Sequence, residues 1–277
     1  MMDFGWWTTG RDRAAFDLFD AAWKGIQDGV ISGKISYVFC SKAKGEGVYS
    51  DRLMDEASMR GLPVVSISAA KFMPELRVAD RERWRDLYHG MVLDALKDLH
   101  HDIVVLAGYM WVVSARVCRS FPIINLHPAL PGGPCGTWQE VIWQLIQERA
   151  GSAGAMIHLV TPELDRGPAI TYCRFKIRGN DKWDILWDQL DRSLKTTDLD
   201  AIKASYGETQ RLFAAIRMEG VKREVPLTIQ TLRLLANGDI LIKNGMPFDR
   251  LGRVLEAPLD LTPEIDPSFQ GAANRID

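Results

Sequence analysis

Two spacings of apolar residues alternate along the 277-residue chain. Short β-branched and aromatic runs at Ile35–Cys40, Val64–Ile67, Ile103–Ala107, Ile123–Asn125, Ala155–Val160 and Ala169–Ile177 predict strands. Between them, apolar residues recur every three or four positions. Trp84, Leu87, Tyr88, Met91, Ala95 and Leu99 mark one helical face, and Trp138, Val141, Ile142, Leu145 and Ile146 mark another, which Thr137 can cap. Arg11 to about Gly29 reads as a third helix, with Phe16, Phe19, Ala22, Trp23 and Ile26 turned inward.

Strands alternating with amphipathic helices predict an α/β protein. The apolar runs at 35–40 and 103–107 suit a sheet covered on both faces, whose ligands bind beyond the carboxyl ends of the strands. The loops after Cys40, Ala107, Asn125 and Val160 therefore matter most. Past Ile177 the pattern becomes helical and more charged, around 181–193, 208–219 and 222–236. A turn at Ala236–Asp239 leads to a short strand, Ile240–Ile242. From Met246 the chain is rich in Pro, Asp and Gly and is expected to wrap the surface.

Charge and composition narrow the function classes. A net charge of -2 and a pI near 6.2 provide no general attraction for nucleic acid. No apolar run reaches the roughly 20 residues of a membrane span, and Met1–Trp7 lacks the basic start of a signal peptide. The four cysteines form no CxxC pair, so no metal is expected and a reducing cytoplasm is the simpler setting.

Chemistry concentrates in two segments. In Asn125-Leu126-His127-Pro128 the amide and the imidazole lie two residues apart, on one side of an extended chain. An amide can bond a developing oxyanion and an imidazole can move a proton, which suits acyl transfer. The same His could simply cap the strand end. The second segment runs from His158 to Pro168, with Asp165 in a turn punctuated by Gly167 and Pro168. Asp165 could orient an imidazole or bond its own backbone; His158, alternating with apolar neighbours, also reads as a core histidine.

Together the segments resemble the folate-dependent formyltransferase family. The family's Asn-x-His-Pro motif matches Asn125, His127 and Pro128. Its strand His, followed seven residues later by Asp in a Gly-Pro turn, matches His158, Asp165, Gly167 and Pro168. Pro131–Gly136 looks like the family's Gly/Pro loop, Asp102–Met110 like the strand and loop of the pterin pocket, and Ser41-Lys42-Ala43 also fits. The resemblance covers residues 35–178 well and 208–242 more weakly. It implies a Rossmann-like, mostly parallel twisted sheet with helices on both faces, in a catalytic domain spanning 1–245. Residues 246–277 would form an extension packed on its surface.

The resemblance further implies formyl transfer from 10-formyltetrahydrofolate to the amine of glycinamide ribonucleotide, a step of purine biosynthesis. Asn125, His127 and Asp165 would be catalytic and His158 supporting. Met110, Trp111, Val112, Val113, Glu163 and Leu164 would line the folate site. Thr9, Gly10 and Arg11, with Arg217, Glu219, Lys222 and Arg223, would hold the acceptor's phosphate. The implied partners are small molecules, with neither nucleic acid nor membrane, and a homodimer is compatible with this.

Three departures stand out. Trp7–Arg13 replaces the family's first Gly-Ser/Thr-Asn loop, Trp111 stands where an Arg is usual, and Gln139 replaces a His. The altered first loop keeps another amine acceptor open, such as an amino sugar nucleotide, and a folate-binding protein without catalysis is the non-enzyme alternative. A solvated helix start at Thr8–Arg13 and a solvated helix face at 217–224 are the plain structural readings. No basic C-terminal barrel or N-terminal regulatory domain is expected, which disfavours tRNA formylation and formyltetrahydrofolate hydrolysis.

Overall fold

The computed structural model describes residues 1–266. In chain order the elements are β1 (Met2–Thr8), α1 (Arg13–Gln27), β2 (Gly33–Cys40), α2 (Val48–Met59), β3 (Val64–Ser66), α3 (Pro74–Ala79), α4 (Arg81–Leu96), β4 (Ile103–Leu106), α5 (Ala115–Ser120) and β5 (Ile123–His127). There follow α6 (Trp138–Gln147), β6 (Ser152–Leu159), β7 (Ala169–Lys176), α7 (Asp181–Ser193), α8 (Leu199–Tyr206), α9 (Arg211–Ala236), β8 (Ile240–Lys243), β9 (Met246–Asp249), β10 (Leu259–Asp260) and α10 (Thr262–Ile265). Eight strands form one sheet in the order β10-β7-β6-β5-β4-β1-β2-β3, while β8 and β9 make a separate antiparallel pair. β1 pairs in parallel with β2 and β4, β2 with β3, β4 with β5, and β7 with β10.

The chain divides into two compact units that interleave in sequence. The first contains 1–126, 158–168 and 229–256; the second contains 127–157, 169–228 and 257–266. In the first unit, Trp6 and Trp7 are adjacent in β1 and so point to opposite faces. Trp6 meets Phe19 of α1 edge-on at 5.9 Å, whereas Trp7 belongs to the core that contains Trp84, Tyr88 and Val92 of α4. Helices thus cover both faces of the sheet, as the pattern of apolar strands requires. In the second unit a separate core joins Val141, Ile142 and Ile146 of α6 to Trp183 and Trp187 of α7 and to Leu212 and Phe213 of α9.

Local chemistry explains most boundaries. Thr137 caps α6 through a full capping box with Glu140, as expected, and Asn180 caps α7 through Trp183 N–H. The helix at 13–27 starts on Asp12, whose carboxylate accepts from Ala15 N–H at 3.3 Å. The inward face of α4 differs from the expected one. Leu87 and Ala95 are exposed, while His89, Val92 and Leu96 are buried beside Trp84 and Tyr88. A buried histidine is tolerated there because both ring nitrogens have partners (below), which shifts the stripe by about one residue.

β1 itself is missed by alternation, because nearly all of it is buried. Gly5 within it lies under the Tyr37 ring: a Cβ there would stand 2.5 Å from the Tyr37 hydroxyl. The patterns at 208–219 and 222–236 merge into the single helix α9, which continues through Pro226. Apolar residues buried on either side, Phe213 and Ile216 before and Leu232 and Leu235 after, offset the lost backbone donor. Of the expected extension, 246–266 supplies β9, β10 and α10, and β10 adds a strand along β7; the remainder, 267–277, lies outside the described residues.

Candidate functional site

Two strand ends in the first unit bring Asn125 and His158 together. Asn125 Nδ2 lies 3.2 Å from His158 Nε2, and His158 Nδ1 lies 2.9 Å from the Leu159 carbonyl. A carbonyl only accepts, so Nδ1 carries the hydrogen and Nε2 accepts from the Asn125 amide. That uses one of the two N–H bonds of Asn125 and fixes the direction of the other. Asp165 Oδ1 lies 3.7 Å from the same His158 Nε2. The side chains of His158 and Asp165 are only 2% and 9% exposed, so both act in a low-dielectric setting.

The turn that carries Asp165 is built on close backbone contact. Asp165 adopts φ 53°, a left-handed conformation that Asp tolerates better than most residues. Two residues on, Gly167 packs directly against the strand: a Cβ there would stand 1.8 Å from the Leu159 carbonyl oxygen, the same oxygen that accepts from His158. Leu159 N–H in turn donates to the Pro168 carbonyl at 2.9 Å. The glycine thus lets the turn fold back against the end of β6. Glu163 and Leu164, at the tip of the turn, are exposed.

In the second unit, His127 ends β5, two residues after Asn125, and is 2% exposed. Its Nε2 donates to the Pro134 carbonyl at 2.8 Å, so the loop Pro131–Gly136 sets the orientation of the ring.

The loops after β1, β2 and β4 meet through hydroxyl groups. Thr9 Oγ1 accepts from Met110 N–H at 2.9 Å and lies 2.8 Å from Ser41 Oγ, while Thr9 N–H donates to the Gly108 carbonyl at 3.1 Å. Gly10 N–H donates to Thr8 Oγ1 at 3.0 Å, and Gly10 has φ 55° with Ser50 Cα only 2.6 Å from where a Cβ would sit. Arg11 pairs with Asp12 at 2.9 Å. The amides of Thr9 and Gly10 are therefore engaged within the protein, and the carboxylate of Asp12 already sits at the start of α1.

Of the expected folate-site residues, Met110 is 48% and Leu164 51% exposed, whereas Val113 is buried in the core and offers only its main chain. Trp111 packs 5.2 Å from Trp84, beneath the guanidinium of Arg77, and its indole N–H is buried without a hydrogen-bond partner.

The late charged residues form a network of their own in the second unit. Glu219 bonds Lys182, Lys222 and Arg223 at 2.9–3.0 Å, Arg217 pairs with Glu224, and Arg223 also pairs with Asp266. Burial pushes the Glu219 carboxyl up, but its three cationic partners outweigh this and hold it near about 2. The guanidiniums of Arg217 and Arg223 also lie over Trp138 and Phe175. Among the described residues, no group of three His, Cys, Asp or Glu side chains is arranged to hold a metal ion, and no helix is long and apolar enough to cross a membrane.

The profile described as formyl transferase matches residues 14–195. The chloroplastic phosphoribosylglycinamide formyltransferase of Arabidopsis thaliana is 26% identical over 163 residues, covering 57% of this chain and 51% of that protein. Its counterpart in Schizosaccharomyces pombe is 26% identical over 180 residues, covering 62% of this chain and 82% of that protein. The chain thus spans about half the length of the first of these curated relatives. Among solved structures, the Coxiella burnetii phosphoribosylglycinamide formyltransferase in complex with CHES superposes with a TM-score of 0.62 at 17% identity. The match covers 94% of this chain and 99% of that one, and shows a shared fold.

Proposed function

Because the chain belongs to the formyl transferase family, we propose that it transfers a formyl group from 10-formyltetrahydrofolate to the amine of glycinamide ribonucleotide. The observation that carries this reading is the half-buried grouping of Asn125 and Asp165 around the buried His158, with His127 two residues along the same strand as Asn125. In this reading the acceptor amine attacks the formyl carbon and the carbonyl becomes an oxyanion. The free N–H of Asn125 donates to that oxygen. His127 takes the proton that the amine loses and returns one to the departing folate nitrogen, so that no net proton is consumed. Asp165, 3.7 Å from His158 Nε2, is the third residue of the proposed catalytic set.

The main chain of Met110–Val113 and the turn Glu163–Leu164 are the proposed contacts of the folate, with the exposed side chains of Met110 and Leu164 giving it apolar surface. For the acceptor's phosphate we favour Lys222, 59% exposed, over Arg217 and Arg223, whose guanidiniums lie in ion pairs and over aromatic rings. Arg11, at the edge of the first loop, is the alternative cation. We place the catalytic domain at 1–245 and the reaction in the cytoplasm.

The test is direct. Purified protein with 10-formyltetrahydrofolate and glycinamide ribonucleotide should release tetrahydrofolate and the formylated ribonucleotide in equal amounts. No release with this acceptor, but release with another amine, would overturn the acceptor; no release with any amine would overturn the transferase reading.

A further inference from the structure

α4 buries a histidine where an apolar side chain would be expected. His89 is fully buried in the first unit, beside Tyr88 and Val92, and the sequence pattern passes over it. Its Nδ1 lies 3.0 Å from the Arg85 carbonyl and its Nε2 lies 3.0 Å from the Tyr109 hydroxyl. The carbonyl can only accept, so Nδ1 carries the hydrogen and Nε2 accepts from Tyr109. Burial lowers the His89 pKa to about 4, so the ring is neutral at ordinary pH. An apolar pair of similar volume would fill this space without any polar group to satisfy. What the polar pair adds is direction, tying the Tyr109 ring to a helix.

Tyr109 occupies a decisive place in the chain. It follows Gly108, which turns the backbone at φ 67°, and precedes Met110, where the loop 110–113 begins outside any helix or strand. All three residues are anchored to distant parts of the first unit. Gly108 accepts from Thr9 N–H, Tyr109 donates to His89, and Met110 donates to Thr9 Oγ1. Tyr109 is also held edge-on against Trp7 at 5.8 Å. The base of the loop is thus clamped from α4 on one side and from the end of β1 on the other.

We infer that His89, acting through Tyr109, is a positioning residue for the loop Met110–Val113, setting its main chain for a reduced folate without touching the ligand. The inference rests on the folate reading of that loop given above. Binding of tetrahydrofolate, followed by tryptophan fluorescence, tests it without the acceptor. The wild type should bind, and His89→Phe and Tyr109→Phe should each weaken binding roughly tenfold. The Michaelis constant for 10-formyltetrahydrofolate should rise in step while kcat changes by less than about threefold, as expected when ground-state binding is what is lost. Because both single variants remove the shared His89–Tyr109 bond, the loss in the double variant should fall clearly short of the sum of the single losses. His89→Gln, whose Oε1 can still accept from Tyr109, should recover most of the affinity.

Variants that melt earlier but bind tetrahydrofolate as tightly as the wild type would reduce the pair to core packing and overturn the inference. Additive losses in the double variant would overturn it as well. A wild-type protein that binds no reduced folate would instead overturn the functional reading, and this inference with it. Tyr109→Phe removes a single oxygen, so a folded variant is available even where His89→Phe does not fold.

Discussion

The molecule carries two polar groupings that the sequence singles out, and they are built on opposite principles. Around Glu219, charges spaced three and four residues apart on α9 meet opposite charges at every turn, and Lys182 and Asp266 complete the set. Around Asn125, unlike groups separated by 33 and 40 residues converge: an amide, an imidazole and a carboxylate. The second arrangement needs a left-handed Asp165 and a glycine pressed on a carbonyl oxygen. A charge cluster at helical spacing tends to neutralise itself, which stabilises the fold locally. Distant residues held together by backbone strain gain nothing comparable in stability, and such strain is characteristic of functional sites.

The largest effect should separate the two groupings outright. His127→Ala removes the proposed proton carrier, and turnover of 10-formyltetrahydrofolate should fall by about 10³-fold while binding of tetrahydrofolate is retained. Turnover within tenfold of the wild type would remove His127 from the mechanism. Asp165→Asn keeps a residue that tolerates left-handed φ, so the turn should survive while turnover drops by roughly 10²-fold. A stable, fully active variant would mean that the carboxylate serves only the turn.

Gly167→Ala probes the link between strain and site. The added methyl cannot coexist with the Leu159 carbonyl, so the turn must move, costing about 1–3 kcal/mol of stability. Asp165 should then shift from His158, and activity should fall roughly tenfold even at temperatures where the protein stays folded. Retained activity despite the stability loss would uncouple the turn from the chemistry.

The smallest effect on activity belongs to the other grouping. Glu219→Gln should leave turnover within about threefold while lowering the melting temperature by a few degrees, on the order expected for about 1 kcal/mol. The folded carboxyl titrates near about 2, below its ordinary value of 4.5. Its contribution is therefore complete above about pH 4.5 and fades as pH falls toward 2. The difference in melting temperature between wild type and variant should shrink over that window. A difference independent of pH would mean that the Glu219 carboxylate does not stabilise the fold through its charge.

The parts of this protein that follow from local rules are legible in its sequence. Capping by Thr137, the apolar face of α6 and the core strands β2 and β4 depend on residues within a few positions of one another. The candidate chemistry is legible too, because Asn125 and His127 share a strand and Asp165 lies in the turn just after the strand of His158. Less legible are β1, where burial on both faces erases alternation, and α4, whose inward face includes a histidine that only a tyrosine twenty residues away makes acceptable. The loop at Thr8–Arg13 reads as an anion cradle from its glycine and arginines. In the fold, its amides bond the protein's own oxygens and Asp12 takes the helix start.

The sequence alone therefore determined the α/β class, the core strands, the helices with a clear apolar face, and the residue types available for acyl chemistry, because these depend on periodicity, capping and side-chain chemistry. The tertiary structure decided which polar groups are partnered within the protein and by what. Arg217 and Arg223 are paired by neighbours, and Gly167 is fixed by a carbonyl eight residues back. His158 becomes an acceptor for Asn125 because the Leu159 carbonyl leaves its ring only one tautomer. A hydrogen bond needs both partners within about 3 Å and correctly directed, and only the folded chain sets those distances.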